Sequence, residues 1–514
     1  MKMKLKQKFG ILACAMILAA VPAGCGSANS GGAATPAPKV QTEAAAQTET
    51  PSQAPAQTPA AMPTLTWFMP GNPESDIDSV NAAASAISAA KIGANIQMNI
   101  IDWGSYHDQI QMKMASSANF DLCFIGFAYP YQEAVDIGGL LEIGSMLPKD
   151  APDLLKEIPD YCIKAVTTDK GVFAIPNVQI LAFGGGYYLR GDLAQKYGVN
   201  PAAIKTLADI EPYLEQIKTG EPDLVPAERL NADNFRDDKG YHYFSVNGSA
   251  VYISDKDNKV YTYYQIPGAE ESAKVSFDLY TKGFYRSDIA TNIYSGGGDD
   301  YYKAGRYALI ATTFKPGVES EIKTDTGYDY TYLFNQTPLM GHTSPIETCN
   351  AVSRTTKYPD LAVQMINLIN TDKDFYNTVC FGIKDKHYTF VDANHISIIP
   401  NSGYTPNSSW KMGYQFNAYL LQGQGDDTWE KTKQLNDNSV KSPILGIFFN
   451  TDDIRTELTQ IDKVQKEYLD AYVNTGVKDP AEYWEQYKAD MQQAGIDKVL
   501  QAYQQQIDAF LGKK

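Results

Sequence analysis

The side chains with chemistry to offer in this sequence are rings, amides and one thiol. The chain carries 34 tyrosines, 20 phenylalanines and 5 tryptophans. A ring face covers the apolar C–H side of a ligand, while Asn, Asp, Glu and Arg bond its hydroxyls. That division of labour suits a sugar. Groups for catalysis or metal chemistry do not assemble in the same way. The five histidines are scattered and form no HExxH. Asp255-Lys256-Asp257 opens like a calcium loop, but Val260 stands where the sixth-position glycine is needed. There is no G-x-S-x-G elbow and no P-loop, and Gly423-Gln424-Gly425 lacks the third glycine of a dinucleotide loop. No metal and no cofactor are expected. Spacing alone does not exclude a glycosidase-like pair of carboxylates.

The thiol with a specific chemistry is Cys25. Lys2, Lys4, Lys6 and Lys8 form a positive start, and an apolar run from Ile11 to Val21 follows, too short to span a bilayer. Pro22-Ala23-Gly24-Cys25 ends it and resembles the bacterial lipobox, in which the Cys accepts a diacylglyceryl group. Pro22 stands where leucine is usual in that motif. Residues 1–24 are read as a signal peptide. Residues 25–63, rich in Ala, Gly, Ser, Thr, Pro and Gln, are read as a disordered, lipid-anchored linker. Cys123, Cys162, Cys349 and Cys380 are widely spaced among apolar residues and read as small buried hydrophobes, with a Cys349–Cys380 bridge left open. The formal charge is -16, and the rest of the chain is more acidic still without the four N-terminal lysines. That balance argues against a nucleic-acid partner, whose phosphates call for Lys and Arg.

Some 450 residues remain from about Thr64, enough for two or more lobes. Leu65 to Met69 reads as an apolar strand broken by Pro70-Gly71-Asn72-Pro73. Ile77, Val80, Ala84 and Ile87 form a helical stripe stopped at Gly93. Ile96, Met98 and Ile100 alternate as a strand, and Ser105 is read as the cap of a helix carrying Tyr106, Ile110 and Met114. Phe120 to Ile125 is a buried strand. The alternation implies a parallel α/β sheet with right-handed crossovers, whose ligand crevice lies at the carboxyl ends of the strands. That rim runs through Trp67 to Asn72, Trp103, and Phe127 to Tyr131, Tyr129 included. Tyr241 to Val246, Val251 to Ser254 and Val260 to Gln265 read as a β-meander. The C-terminal stretch is helical: Asp479-Pro480-Ala481-Glu482 is a strong start, and Ile496, Val499, Tyr503 and Ile507 line a last amphipathic face.

Several ordered segments together resemble extracellular solute-binding family 1, the maltose-binding-like class, in a Gram-positive lipoprotein subgroup with a characteristic C-terminal segment. They include Leu65 to Gly71, Asp102-Trp103 to Met114, Gly171-Val172-Phe173-Ala174-Ile175-Pro176, Tyr188-Leu189-Arg190-Gly191-Asp192, Gly305-Arg306-Tyr307-Ala308 and Leu445-Gly446-Ile447-Phe448-Phe449. The resemblance implies an α/β fold of the type II periplasmic-binding-protein kind, with two lobes, hinge crossovers and a helical C-terminal extension. Matching segments assign 64–177 and 312–353 to lobe 1, 178–311 and 354–450 to lobe 2, and 451–514 to the extension. They also imply a monomeric lipoprotein on the outer face of the cell membrane. It would capture an oligosaccharide between the lobes and present it to the membrane permease of an ABC importer. Trp67 corresponds to a pocket position of the family. Asn72, Trp103, Phe127 and Tyr129 share its rim, and Asn177 lies at the first crossing. The second lobe would supply Tyr187, Tyr188, Trp410, Tyr414 and Asn417, and Glu347 could reach a hydroxyl. Arg190 and Asp192 are expected to form a structural ion pair. Two rival readings share the fold: capture of a peptide or other polar solute, and a ligand sensor partnering a membrane kinase. An enzyme is disfavoured.

Overall fold

The computed structural model describes residues 62–182, 184–230, 242–247, 249–291, 300–335 and 337–512. The leader, most of the linker and Cys25 lie outside them. No helix among the described residues is long and apolar enough to cross a membrane.

The first sheet grows from alternation. In β1 (Thr64–Pro70), Leu65, Trp67 and Met69 turn inward and are fully buried. α1 (Ile77–Ile92) follows and closes on Gly93, whose φ of 70° makes the left-handed cap expected of glycine there. β2 (Asn95–Ile101) returns parallel to β1, pairing Thr64 with Asn95 through Pro70 with Ile101. α2 (Trp103–Ala115) begins three residues earlier than Ser105 would allow as its cap. Asp102 is the cap, accepting the Gly104 N–H at 3.0 Å. β3 (Leu122–Gly126), parallel to β1, is buried throughout, and α3 (Tyr131–Asp136) follows. β4 (Ala174–Pro176) is the far edge.

The chain then builds a second sheet from β5 (Gly185–Arg190) and β6 (Val225–Ala227), followed by an antiparallel meander of β7 (Tyr243–Ser245), β8 (Val251–Ser254) and β9 (Val260–Thr262). The meander carries the helix α4 (Ala269–Thr281). β10 (Tyr307–Thr313) and β11 (Tyr330–Asn335) complete the second sheet in the order β11-β5-β10-β6. β12 (Thr348–Val352) goes back to the first sheet, between β3 and β4 and antiparallel to both. α5 (Pro359–Thr371) and α6 (Lys373–Phe381) pack into the first core.

The packing divides the chain differently from the expected lobe boundaries. β11 belongs to the second sheet because its backbone groups pair with β5, so the return crossing falls between residues 335 and 348. After β12 the chain stays with the first core: Ile366, Phe375, Tyr376, Tyr404, Met412 and Tyr414 all join it. Only from about Ile444 does it join the core under the meander, with α7 (Arg455–Gln465), a π-helical turn (Lys466–Val473), α8 (Pro480–Gln493) and α9 (Ile496–Gly512). Asp479 caps α8 through the Ala481 N–H, and Ile496, Val499, Tyr503 and Ile507 are buried on α9 as their spacing requires. Cys123, Cys162, Cys349 and Cys380 are all free, buried thiols, so Cys349 and Cys380 are not bridged. Arg190 pairs with Asp192 in a two-pronged contact of 3.0 and 2.6 Å.

Candidate functional site

β1, β2 and β3 end together at Pro70, Ile101 and Gly126, and β12 starts opposite Gly126. Whatever follows these strands crowds one edge of the sheet. Trp103 opens α2 after β2, and Phe127 follows β3 directly. A short 3-10 turn, Ser409–Lys411, brings Trp410 to them. Trp103 lies 5.8 Å from Phe127 with ring planes 17° apart and 6.2 Å from Trp410 at 22°, while Phe127 and Trp410 are 5.8 Å apart. Trp103 is thus near-parallel to each of the other two rings, while Phe127 and Trp410 are tilted 39° to one another. Phe127 is 56% and Trp103 36% exposed. Two exposed rings side by side make an apolar patch at this edge of the sheet.

Polar groups behind the rings hold Trp410 in place. Asn177 donates to Lys411 O at 2.8 Å, and Asn350 donates to Asn177 Oδ1 at 2.8 Å and to Met412 O at 3.1 Å. The Tyr376 hydroxyl donates to Ser409 O at 2.8 Å. The Lys411 ammonium, only 1% exposed, donates to Pro70 O at 2.6 Å and sits 5.3 Å from the Trp103 ring centre. Burial pushes the Lys411 pKa down to about 8, against the opposing pull of Cys380 and Glu74. Glu347 bonds Thr343 at 3.1 Å, and burial raises its carboxyl pKa. Its backbone carbonyl accepts the Phe127 N–H at 2.9 Å.

That last contact depends on Gly126. Its φ is +148°, and a Cβ there would lie 1.9 Å from Glu347 O. Gly126→Ala should therefore displace Phe127 and cost about 3 kcal/mol of stability or more. A urea midpoint unchanged from wild type would show that the backbone relaxes freely at this corner.

The structure brings together three of the residues singled out in the sequence, Trp103, Phe127 and Trp410, with exposed Asn72 and half-buried Glu347 at the same edge. It separates the others. Trp67 is no rim residue: β1 runs on through Pro70, and the alternation that buries Leu65 and Met69 buries Trp67 at 1% exposure. Tyr129 is fully buried in the tight loop after β3, paired across it with Gly126. Tyr187 and Tyr188 point to opposite faces of the second sheet and both lie in cores. Tyr414 is buried in the first core. Asn417 spends its amide on Asn370 O at 2.8 Å. Asn177 is 1% exposed and works through Lys411, behind the rings. Lys411, Asn350 and Tyr376 were missed because no sequence pattern marks a lysine that folds inward. The one available signal was its adjacency to Trp410.

Comparison with known proteins agrees with this architecture. Residues 443–512 match a family model described as a domain of unknown function (DUF3502). Over 466 residues, 88% of this chain and 92% of the relative, the sequence is 24% identical to a carbohydrate ABC transporter substrate-binding protein of Streptococcus pneumoniae serotype 4. The N-glycan transport solute binding protein NgtS of Streptococcus pneumoniae is similar in structure, with a TM-score of 0.78 and 23% identity over 88% of this chain and 100% of that one. The same protein in complex with Man5GlcNAc gives a TM-score of 0.68, covering 88% and 99% of the two chains at 23% identity. An extracellular solute-binding protein from Bifidobacterium longum subsp. infantis gives 0.59 at 15% identity, covering 89% and 100%. The chain thus has the type II fold of the extracellular solute-binding proteins, with a helical C-terminal segment.

Proposed function

We propose that this protein captures a carbohydrate, in oligosaccharide form, between its two sheet-based lobes and presents it to the permease of an ABC importer. The observation that carries the reading is the exposed surface of Trp103, Phe127 and Trp410 at the carboxyl edge of the parallel strands. Flat ring faces match the C–H faces of pyranoses. The similar solute-binding protein solved with Man1GlcNAc and Man5GlcNAc makes N-glycan fragments the first ligands to try. The reading is of a monomer, held by a lipid on Cys25 at the outer face of the membrane, that returns its sugar intact.

A thermal-shift panel of the full chain with these two glycans, other saccharides, peptides and amino acids tests it. A ligand at 100 times its dissociation constant stabilises the fold by about 2.7 kcal/mol. The expected result is a shift with one saccharide class. A shift with peptides alone contradicts the carbohydrate reading.

A further inference from the structure

Among the described residues, three stretches of chain join the lobes. The first leaves β4 at Pro176 and enters β5 at Gly185, and the second runs from β11 to β12. The third follows the helix Thr428–Asn438, whose Trp429 and Leu435 pack on the first core, and reaches the core under the meander at Ile444. α4 ties that core to the second sheet through Ala273 and Leu279. A stretch that changes lobes carries backbone groups that no sheet pairs, and each needs a partner. In the first crossing one side chain serves three of them. Asn436, 2% exposed, accepts the Leu181 N–H at 2.8 Å and the Ala182 N–H at 3.2 Å on Oδ1, and its Nδ2 donates to Gln179 O at 2.6 Å. Soon after Ala182 the other lobe takes over. Gly184 O accepts the Phe314 N–H at 2.7 Å, and Gly185 and Gly186 pair with Thr313 and Thr312 of β10. The backbone therefore passes from the bonds of one lobe to those of the other between Ala182 and Gly184.

The same helix end holds the other two crossings. Just beyond it, Val440 and Lys441 pair in parallel with Leu339 and Met340 of the second crossing. The Lys441 ammonium donates to Asp437 O at 2.9 Å and to Asn436 O at 3.3 Å. The start of the first crossing is shared with the rings: Asn177 donates to Lys411 O, and Val178 O accepts the Gln415 N–H at 2.9 Å. Residues 177 and 178 thus hold the segment that carries Trp410, and residues 179 to 182, directly after them, are held by Asn436.

We infer that Asn436 is the pin of the interlobe hinge. It holds residues 179–182 to the first lobe, so the bend of this crossing falls between Ala182 and Gly184, and the second lobe swings without disturbing the rings. The inference rests on the reading that the lobes close over a ligand, and not on that ligand being a sugar. Asn436 is a positioning residue. It limits how far the open lobes wander and hence the ordering that closure imposes.

Two measurements test it without any ligand. In wild type the Leu181 and Ala182 amides should resist hydrogen exchange like those of the first sheet, and in Asn436→Ala they should exchange about tenfold faster while β1 and β3 keep their protection. Spin labels on Ala115→Cys and Gln216→Cys, exposed positions of the first and second lobes, report the spread of interlobe distances in a chain that also carries Cys25→Ser. That spread should be broader in Asn436→Ala than in the labelled parent. Man5GlcNAc should then bind Asn436→Ala severalfold more weakly, because closure orders a looser protein. Free exchange of Leu181 and Ala182 in wild type overturns the inference whatever the variant does. An unchanged distance distribution in Asn436→Ala overturns it too, even if the amides exchange faster, because the side chain then braces a loop and does not set the hinge. Wild type binding no saccharide contradicts the carbohydrate reading alone, and the ligand-free measurements still decide the role of Asn436.

Discussion

Trp410→Ala is expected to weaken oligosaccharide binding by about 30- to 100-fold, the loss of 2 to 3 kcal/mol typical of a central aromatic anchor. Trp410 contacts both other rings, at 6.2 and 5.8 Å, so its removal leaves Trp103 and Phe127 without the third face. It is only partly buried against the first core, so the variant should still fold. Trp67→Phe makes the matching control. Trp67 lies in the first core with its indole N–H unpartnered among the described residues, so this change should lower stability slightly and leave the dissociation constant alone. Fluorescence or calorimetric titration of the two variants separates a ring that meets ligand from one that supports the fold. Equal losses of affinity in both would mean that the rings at the strand ends have no special part.

The second large effect concerns Lys411 and pH. In the folded protein its pKa is held down at about 8, against 10.5 for the free side chain. Between those values the unfolded chain binds more protons than the folded one, so stability rises with pH across this window. Below pH 8 both states are protonated and the fold bears the full cost of burying the charge. Other groups titrate in the same range, so the quantity to measure is the stability of wild type relative to Lys411→Met. That difference should move in favour of wild type by about 2 to 3 kcal/mol between pH 7 and pH 10, because a shift of one unit is worth about 1.4 kcal/mol. The groups facing the ammonium are Glu74, Cys380, Pro70 O and the Trp103 ring, and none of them supplies a close carboxylate. A difference independent of pH would mean that Lys411 swings out to solvent. In that case it could not hold Trp410 against the sheet.

Much of the ring surface was legible in the sequence because its parts follow simple rules. Trp103 and Phe127 come straight after apolar runs whose alternation with helices requires a parallel sheet, and residues after such strands gather at one edge. Trp67 misled for a related reason. Pro70 suggests a strand that stops early, yet β1 continues through Pro70, and the period of two then decides that Trp67 faces inward. The paired tyrosines Tyr187 and Tyr188 were open to the same error. Adjacent residues on a strand point to opposite faces, and in this sheet helices or loops cover both faces. Trp410 was expected from the second lobe, but it lies beside Trp103 and Phe127 against the first core. That place depends on bonds from Asn177, Asn350 and Tyr376, residues up to 233 positions away, which no local pattern reports. The lobe boundaries slipped where pairing overrides order along the chain. β11 joins the second sheet through backbone bonds to β5, and α5 and α6 remain with the first core because their apolar faces fit there.

The central claim is that the surface of Trp103, Phe127 and Trp410 binds a sugar. Its most direct test is a titration of the full chain with Man5GlcNAc, followed by tryptophan fluorescence and repeated in Trp410→Ala. The account predicts a saturable change with one-to-one stoichiometry in wild type, shifted to about 30- to 100-fold higher concentration in the variant. A wild-type response that Trp410→Ala leaves at the same midpoint would contradict it, as would a saturable response to peptides with none to any saccharide.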